Sequence, residues 1–435
     1  MSALARLEGS ARVLALVKLA NVALVLIWGF AITFVFVRIL PITEFQSFLL
    51  LVAFGNFTIS AEFGLTSIIY ARLRRHWLGR AAGEAGEAGS FRLEEMGVLF
   101  LFLGALILAG TAVLLVALGA GWFDTGAPAL FLLFFLSACL NLPALLAKRA
   151  LAAVDGNFLW EGLDCMRRVV TIGLLLAILA GLDPRLSVAL QLAASVLVIG
   201  YAISRVHQRL AMQARHWFAF RVGGGHVRRH YLRDIGASAA FTLSDIIAYN
   251  APYFTIALAT SDARPMLIFD FFFKMSRGLS MLVRAVTEAA LPRITRAVHA
   301  NDGARLRQLL GRTLTVSMAF ALAMSVVLLL VGERLFLLLF NGHASIDRTG
   351  LVLIDLALLA LALVCVSVYV QGALGRFPHL LARSLPLLAG SLLSVPVAAL
   401  FGLTRFDNAF LTLLMLTLLL AAALHLLSLR RLVGP

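Results

Sequence analysis

The sequence predicts an all-α polytopic membrane protein whose twelve transmembrane helices form two halves of six. Of the 435 residues, 61% are hydrophobic and only 14% are charged, and the mean hydropathy is +0.97. A soluble domain carries about 25% charged residues. In a soluble protein a net charge of +15 would indicate nucleic acid. In this chain the basic loops of a membrane protein account for it, so no nucleic-acid partner is expected.

Twelve apolar runs reach the ~20 residues that a membrane-spanning helix needs. The fifth is the weakest, because Arg167 and Arg168 lie near its start and are expected to extend towards the headgroups. The runs lie at residues 14–38, 45–70, 97–119, 128–147, 165–183, 186–203, 236–259, 266–290, 313–332, 350–372, 380–401 and 408–428.

The distribution of Lys and Arg predicts that both chain termini are cytoplasmic. With a cytoplasmic N-terminus, 27 of the 37 Lys and Arg residues lie in the inner segments and six lie in the outer segments. Cytoplasmic segments of membrane proteins carry such an excess of positive charge. When residues within three positions of a span end are counted with the adjacent segment, the remaining four lie inside predicted spans and are Lys18, Lys274, Arg277 and Arg284.

The longest hydrophilic interval runs from about Ser204 to Asp234 and contains three consecutive glycines, 223–225, among basic residues. Six predicted spans precede it and six follow, an arrangement that two-lobed membrane proteins share. We expect an N-terminal six-helix bundle at 1–210, a basic cytoplasmic linker at 211–235 and a C-terminal six-helix bundle at 236–435.

Two other hydrophilic segments have clear patterns. Residues 79–90 are rich in Gly, Ala and Glu, which is typical of a flexible surface loop. The segment from Pro292 to Arg312 combines apolar residues at helical spacing with many arginines. This pattern predicts a helix lying at the cytoplasmic membrane interface.

The eighth span carries a charged stripe along its whole length. Its members follow one another in steps of four and three, which places them on one face of a helix. The stripe covers about 27 Å at helical rise, close to the hydrocarbon thickness of a bilayer. It consists of Asp270, Lys274, Arg277, Met281, Arg284 and Glu288.

Two interpretations of this stripe are open. In the first, the charges are structural: Asp270 with Lys274 and Arg284 with Glu288 form i,i+4 pairs. Asp245 of the preceding span, at similar depth, could then pair with Lys274 or Arg277. In the second, which we favour, the stripe lines a water-filled cationic cavity, because a fixed ion pair does not require charge along a whole helix. Arginine binds phosphate and carboxylate groups through its bidentate fork.

Further polar residues interrupt other spans, where a charge costs roughly 2.5–3.5 kcal/mol. Lys18 and Asn21 share a face near the cytoplasmic end of the first span. Lys18 either extends to the headgroups or belongs to the cavity, and Asn21 is typical of an interhelical hydrogen bond. Glu62 lies in the cytoplasmic half of the second span. Asp355 is interpreted as an outer interface residue.

No motif for catalysis or metal binding is present in the sequence. The three cysteines, Cys139, Cys165 and Cys365, do not form a metal-ligand pattern. There is no HExxH motif, phosphate-cradling loop or nucleophile elbow. We therefore expect neither an enzyme nor a metal or cofactor site.

Three stretches resemble the Wzx-type lipid-linked oligosaccharide flippases of the multidrug/oligosaccharidyl-lipid/polysaccharide exporter superfamily. In RILPITEFQSFLLLVAFGNFTISAEFGLTSIIYARLRR, Glu44-Phe45 and the run 61–65 match the family's acid-aromatic and small-acidic-apolar-Gly-Leu elements. Glu62 stands where the family often has Asp. The exit VTEAALPRITRAVHANDGARLRQLLGRTL and the connection GERLFLLLFNGHAS are similar to those after the family's eighth and ninth spans.

The resemblance implies two six-helix bundles around a central V-shaped cavity in the bacterial inner membrane. The substrate would be an undecaprenyl-pyrophosphate-linked repeat unit that crosses to the periplasmic leaflet by alternating access, for exopolysaccharide or O-antigen synthesis. Membrane lipids and other polysaccharide assembly proteins would be partners. The expected phosphate-binding residues are Lys18, Lys274, Arg277 and Arg284. The expected charge-pairing or ion-coupling residues are Glu62, Asp245, Asp270 and Glu288.

Two alternatives remain. An ion-coupled multidrug antiporter would keep this fold, and its acidic residues would matter more than its arginines. A polytopic polysaccharide polymerase or ligase is disfavoured because such enzymes need a large periplasmic loop. The predicted outer loops are all short here.

Overall fold

The structure is a computed structural model, and it describes residues 11–62, 65–82, 91–402 and 406–432. The motif residues Phe63 and Gly64 and most of the predicted 79–90 loop lie outside these ranges. All secondary structure in the described ranges is helical, as predicted. The helices are α1 Ala11–Ile39, α2 Ile42–Ser60, α3 Leu65–Ala82, α4 Glu94–Gly119, α5 Pro128–Cys139, α6 Asn141–Ala153, α7 Asn157–Ala177, α8 Pro184–Arg209, α9 Ala214–Phe218, α10 Phe220–Ala259, α11 Ala263–His299, α12 Gly303–Leu339, α13 Arg348–Ala373, α14 Phe377–Ala399 and α15 Phe406–Leu432.

Nine helical stretches of the described chain are long and apolar enough to cross a membrane. One of them comprises α5 and α6, which are separated at Leu140 because Pro143 has no N–H for a helical hydrogen bond. The three other predicted spans correspond to α7, α10 and α11. These helices carry polar or charged residues at membrane depth, which lowers their hydropathy. The chain is therefore a multi-pass membrane protein, and its helices are consistent with the twelve-span layout.

Aspartates begin four of the helices. Asp183 accepts a hydrogen bond from Leu186 N at the start of α8. At the starts of α11, α12 and α13, other backbone N–H groups donate equivalent hydrogen bonds to the side chains of Asp262, Asp302 and Asp347. An aspartate at this position satisfies one of the backbone N–H groups that the first helical turn leaves without a partner.

Contacts within the chain divide it into two compact units. The first unit comprises residues 1–35 and 54–239, and the second comprises 36–53 and 240–435. Residues 36–53 thus group with the C-terminal half of the sequence. Within the second unit, Phe36 stacks on Phe48, and Arg38 Nη2 donates to the Leu338 carbonyl at 2.7 Å. The boundaries proposed from the sequence at 210 and 236 stay a prediction.

Most of the predicted linker is helical in the structure, and it belongs to the first unit. The three glycines 223–225 lie inside α10. An added Cβ on Gly97 would lie 2.2 Å from the Trp217 carbonyl oxygen, and one on Gly223 would lie 2.5 Å from the Glu94 carbonyl oxygen. Small residues at these two positions let the start of α10 and the segment before it approach the start of α4. Gly223 of the predicted linker therefore lies at a close helix contact.

A buried carboxylate reinforces this contact. Glu95 is fully buried and accepts hydrogen bonds from Tyr231 Oη at 2.5 Å and from Arg92 N at 3.0 Å. Arg72 and His226 lie 3.5 and 3.1 Å from the same carboxylate. Burying a carboxylate is costly unless hydrogen bonds and charges compensate. This cluster ties α3, α4 and α10 together within the first unit.

The core of the second unit is rich in aromatic residues. Phe271 contacts Phe336 edge to face with ring centroids 5.4 Å apart, and Phe336 contacts Phe340 at 4.7 Å. Phe269 contacts Phe410 of α15 at 6.0 Å. Such pairs contribute about 0.5–1.5 kcal/mol each beyond the area they bury. They fix the N-terminal half of α11, where the charged stripe begins, against α12 and α15.

The segment Pro292–Arg312 is not a separate interfacial helix. Residues up to His299 continue α11, and Gly303 begins α12 after a turn in which Asn301 has a φ of 52°. The apolar and basic residues at helical spacing are thus the ends of two long helices. The sequence pattern is shared by both arrangements, so it could not distinguish them.

Candidate functional site

The N-terminal end of the charged stripe, named the outer end after the predicted topology, is a closed ion pair. The Asp270 side chain is almost fully buried and forms a salt bridge with Lys274, one turn further along α11. Tyr253 of α10 donates a hydrogen bond from Oη to Asp270 Oδ1 at 2.8 Å. The predicted i,i+4 pair therefore forms. The charge of Lys274 is neutralised by Asp270 in this structure, and Lys274 does not pair with Asp245.

The middle of the stripe is open. Arg277 is exposed, and its guanidinium carbon lies 5.4 Å from the centre of the Phe273 ring. Asp245 of α10 is also exposed, and it interacts electrostatically with Arg277. Within the described part of the chain, neither residue forms an ion pair. The guanidinium of Arg277 is therefore available for a carboxylate or phosphate group.

The C-terminal end of the stripe, named the inner end after the predicted topology, is an exposed ion pair. Arg284 Nε lies 2.7 Å from Glu288 Oε1, and both side chains are about half exposed, at 51% and 53%. The Arg284 guanidinium also lies 5.8 Å from the centre of the Tyr369 ring of α13. This predicted i,i+4 pair forms too. Because water competes for both partners, it opens more easily than the buried pair at the outer end.

The stripe thus changes from buried to exposed along α11. Charges at membrane depth are costly when they contact lipid, and they usually face a protein interior or a water-filled space. The exposed charges of α11 therefore indicate a hydrated surface on the second unit. Both interpretations of the sequence hold in part, since the outer pair is structural and the remaining charges are accessible.

The two site residues predicted in the first unit have different surroundings. Lys18 is exposed. Glu62 is buried, and it accepts hydrogen bonds from Thr66 N at 2.8 Å and Thr66 Oγ1 at 3.3 Å. Their predicted roles in substrate binding and charge pairing stay predictions, as do those of the stripe residues.

The first unit contains a buried charge cluster that the sequence analysis missed. Asn21 Nδ2 donates to Glu161 Oε2 at 2.8 Å and to Asp164 Oδ2 at 2.9 Å. Arg167 and Arg168 of the same helix, α7, both form salt bridges with Asp164, at 2.7 and 3.0 Å. The two carboxylates are nearly fully buried.

Two other helices complete this cluster. Lys148 Nζ of α6 lies 3.5 Å from Glu161 Oε1, and Arg167 Nη1 contacts Ser195 Oγ of α8 at 3.5 Å. Arg167 is itself buried, so the expectation that it extends to the headgroups is wrong. The acid that pairs with it, Asp164, lies just before the predicted fifth span. Its spacing of three and four residues from Arg167 and Arg168 was the available signal.

Two other polar residues differ from expectation. Asp355 is buried rather than at an outer interface, and it accepts a hydrogen bond from Ser325 of α12. His425 is fully buried on α15 and lies 2.9 Å from Ser367 Oγ and 3.3 Å from Ser384 Oγ. These contacts link helices within the second unit.

Solved structures of transporters share this fold. An inward-facing multidrug resistance MATE family transporter of the MOP superfamily aligns over 94% of this chain and 94% of its own, with a TM-score of 0.66 and 12% identity. The MATE transporter VcmN of Vibrio cholerae aligns over 96% and 95%, with a TM-score of 0.66 and 15% identity. The lipid II flippase MurJ, in an inward closed conformation, aligns over 97% and 88%, with a TM-score of 0.57 and 12% identity.

No family model and no curated protein matches the sequence. The alignments nevertheless extend over nearly the whole chain, so the protein has the fold of the MATE transporters and of MurJ. At these identities the likeness shows the fold alone. The predicted fold class is confirmed, and the choice of cargo depends on the site.

Proposed function

We propose that the chain is a bacterial inner-membrane flippase for an undecaprenyl-pyrophosphate-linked oligosaccharide. The cargo would move from the cytoplasmic to the periplasmic leaflet by alternating access between the two bundles, alongside other polysaccharide assembly proteins. The exposed guanidinium of Arg277, which has no ion-pair partner in the described chain, carries this proposal. The resemblance to Wzx-type flippases and the fold shared with a lipid II flippase support it.

The pyrophosphate group is the part of the cargo that this site suits. A guanidinium presents two parallel N–H donors that match the oxygens of a phosphate group. Arg284 can contribute a second guanidinium by leaving the half-exposed Glu288. Lys274 would join only when Asp270 releases it, and Lys18 would act at the cytoplasmic mouth. When the site is empty, the acids Glu62, Asp245, Asp270 and Glu288 limit the repulsion among these cations or carry a coupling proton.

Replacement of Arg277 by Ala tests the proposal. Transport should fall by at least about tenfold, because a charge-assisted bidentate contact contributes about 1.5–3 kcal/mol. The measurement is the amount of lipid-linked repeat unit retained on the cytoplasmic leaflet of cells that express the variant as their sole copy. Arg277→Lys should keep part of the activity, since it preserves the charge without the fork.

The matched control is Arg307→Ala, which removes an exposed arginine beyond the predicted spans. It should transport normally, and all variants should reach the membrane in equal amount. Normal export by the Arg277→Ala variant would reject the assignment of this site.

A multidrug antiporter is the second candidate, because the MATE structures have TM-scores of 0.66 against 0.57 for MurJ. The exposed Asp245 carboxylate could bind an organic cation in such a protein. This candidate predicts that Asp245→Asn abolishes resistance to a cationic dye while Arg277→Ala does not. The flippase predicts no dye resistance from the unmodified chain.

A further inference from the structure

Three arginines line one cavity where α11 ends and α12 begins. The cavity has a volume of about 230 Å³, and its lining includes Arg293, Arg296 and Arg305. Small residues, Ala297 and Ala300, complete the wall between them. The cavity lies entirely within the second unit, beyond the charged stripe, and the flippase proposal does not use it.

In the described part of the chain, none of the three guanidiniums forms an ion pair with a carboxylate. Arg296 Nε donates to the Pro292 carbonyl at 3.0 Å, which uses one of its five N–H groups. Asp302 also lines the cavity, but its Oδ1 accepts a hydrogen bond from Arg305 N as the cap of α12. The lining therefore carries three positive charges and one negative charge.

The position of this cavity along the helices matches the headgroup layer of a membrane. The apolar part of α11 ends near Leu291, and the sequence becomes apolar again from about residue 313 of α12. The cavity residues lie between these two limits, where lipid phosphates are found. Basic pockets between transmembrane helices at this level bind anionic lipid headgroups.

We propose that this cavity binds the phosphate group of an anionic membrane phospholipid. Its volume is below the about 300–1,000 Å³ of sites that enclose drug-sized ligands, so it suits one phosphate group and not an oligosaccharide. Three guanidiniums can donate several charge-assisted hydrogen bonds to the phosphate oxygens. This binding is independent of the cargo, because no residue of the stripe takes part.

The test measures binding of phosphatidylglycerol to the purified full-length chain in detergent by native mass spectrometry. The Arg296→Gln/Arg305→Gln double variant should bind the lipid about tenfold or more weakly, because it loses two bidentate contacts. The control is Arg307→Gln/Arg312→Gln, which removes two exposed arginines of α12 that lie outside the cavity. Its affinity should change by less than about twofold.

A third variant should change the affinity for phosphatidylglycerol in the opposite direction. Asp302→Asn removes the one negative charge of the cavity, and asparagine caps a helix as well as aspartate does. It should therefore fold normally and bind phosphatidylglycerol several-fold more tightly. This variant keeps the proposal testable if the double glutamine variant does not fold.

Competition distinguishes the sources of the phosphate. Inorganic phosphate and undecaprenyl pyrophosphate are added in turn against bound phosphatidylglycerol. Weak displacement by both supports a phospholipid site. Displacement by inorganic phosphate at equal concentration would assign the cavity to a free anion, and tighter binding of undecaprenyl pyrophosphate would assign it to the cargo. Either result, or equal losses in the two double variants, would overturn the proposal.

Discussion

The charge cluster of α7 and the charged stripe of α11 place similar residues at membrane depth and use them differently. In the cluster, Asp164 accepts hydrogen bonds from Asn21, Arg167 and Arg168. In the stripe, only the outermost pair is buried, and Arg277 is exposed without an ion pair in the described chain. A buried charge with several partners serves structure, whereas an exposed one can bind a ligand. The partners opposite each helix, not the charges themselves, make this difference.

Removal of the Asp164 charge should have the largest effect on folding. Asp164→Asn leaves the buried Arg167 and the partly buried Arg168 without their shared counter-charge, which costs roughly 3–5 kcal/mol. We expect a strong fall in the yield of folded protein, measured by size-exclusion chromatography of a fluorescent fusion. The matched change, Asp245→Asn, removes an exposed carboxylate without an ion pair and should leave the yield unchanged. Equal losses would mean that the two regions do not differ.

The outer end of the stripe should behave like the cluster. Lys274→Met removes the counter-charge of the buried Asp270 carboxylate, and we expect a loss of about 3 kcal/mol. The measurement is the free energy of unfolding in mixed micelles. In the double variant with Asp270→Asn, part of the loss should be recovered because no buried charge remains. Additive losses would show that the two residues do not act as a pair.

The inner end of the stripe should contribute little to stability. Arg284→Gln breaks a half-exposed i,i+4 pair with Glu288, and such pairs contribute about 0.3–0.5 kcal/mol. We expect the free energy of unfolding to change by no more than this while transport falls. A loss as large as that of Lys274→Met would assign the inner end to structure.

The smallest effect concerns an ion pair outside the spans. Asp155, in the turn before α7, accepts hydrogen bonds from Arg74 Nη1 at 2.6 Å and Trp77 Nε1 at 2.8 Å. Partial burial alone would raise the pKa of Asp155, but these contacts outweigh it and hold the pKa below its ordinary value. Their stabilisation is present above the unfolded-state pKa of about 4 and is lost as the pH falls through the lower folded-state pKa.

The unfolding midpoint of the unmodified chain should therefore decrease slightly more between neutral and acidic pH than that of Asp155→Asn. The difference should be small, because the side chain is 60% exposed and water screens the pair. Parallel pH dependences would show that this contact adds nothing to stability.

The sequence alone predicted the helical class, the membrane spans and the two i,i+4 pairs of α11. Apolar length and charge spacing along one helix are properties of local sequence, and they survive folding. It was wrong about Asp355, because the partner Ser325 lies on another helix and leaves no mark in the sequence around Asp355. It was also wrong about Arg167, although the partner Asp164 lies only three residues before it on α7. It also missed that Gly97 and Gly223 lie at a close helix contact.

What the sequence determined is therefore which residues share a face of each helix. What tertiary structure decided is what lies opposite that face. Asn21 reaches Asp164 across 143 positions of sequence, and Tyr253 reaches Asp270 only because α10 packs beside α11. The energy of a buried charge depends on its partners and its access to water, and both depend on packing. For that reason periodicity found the charged stripe, and only the fold showed which of its charges are available.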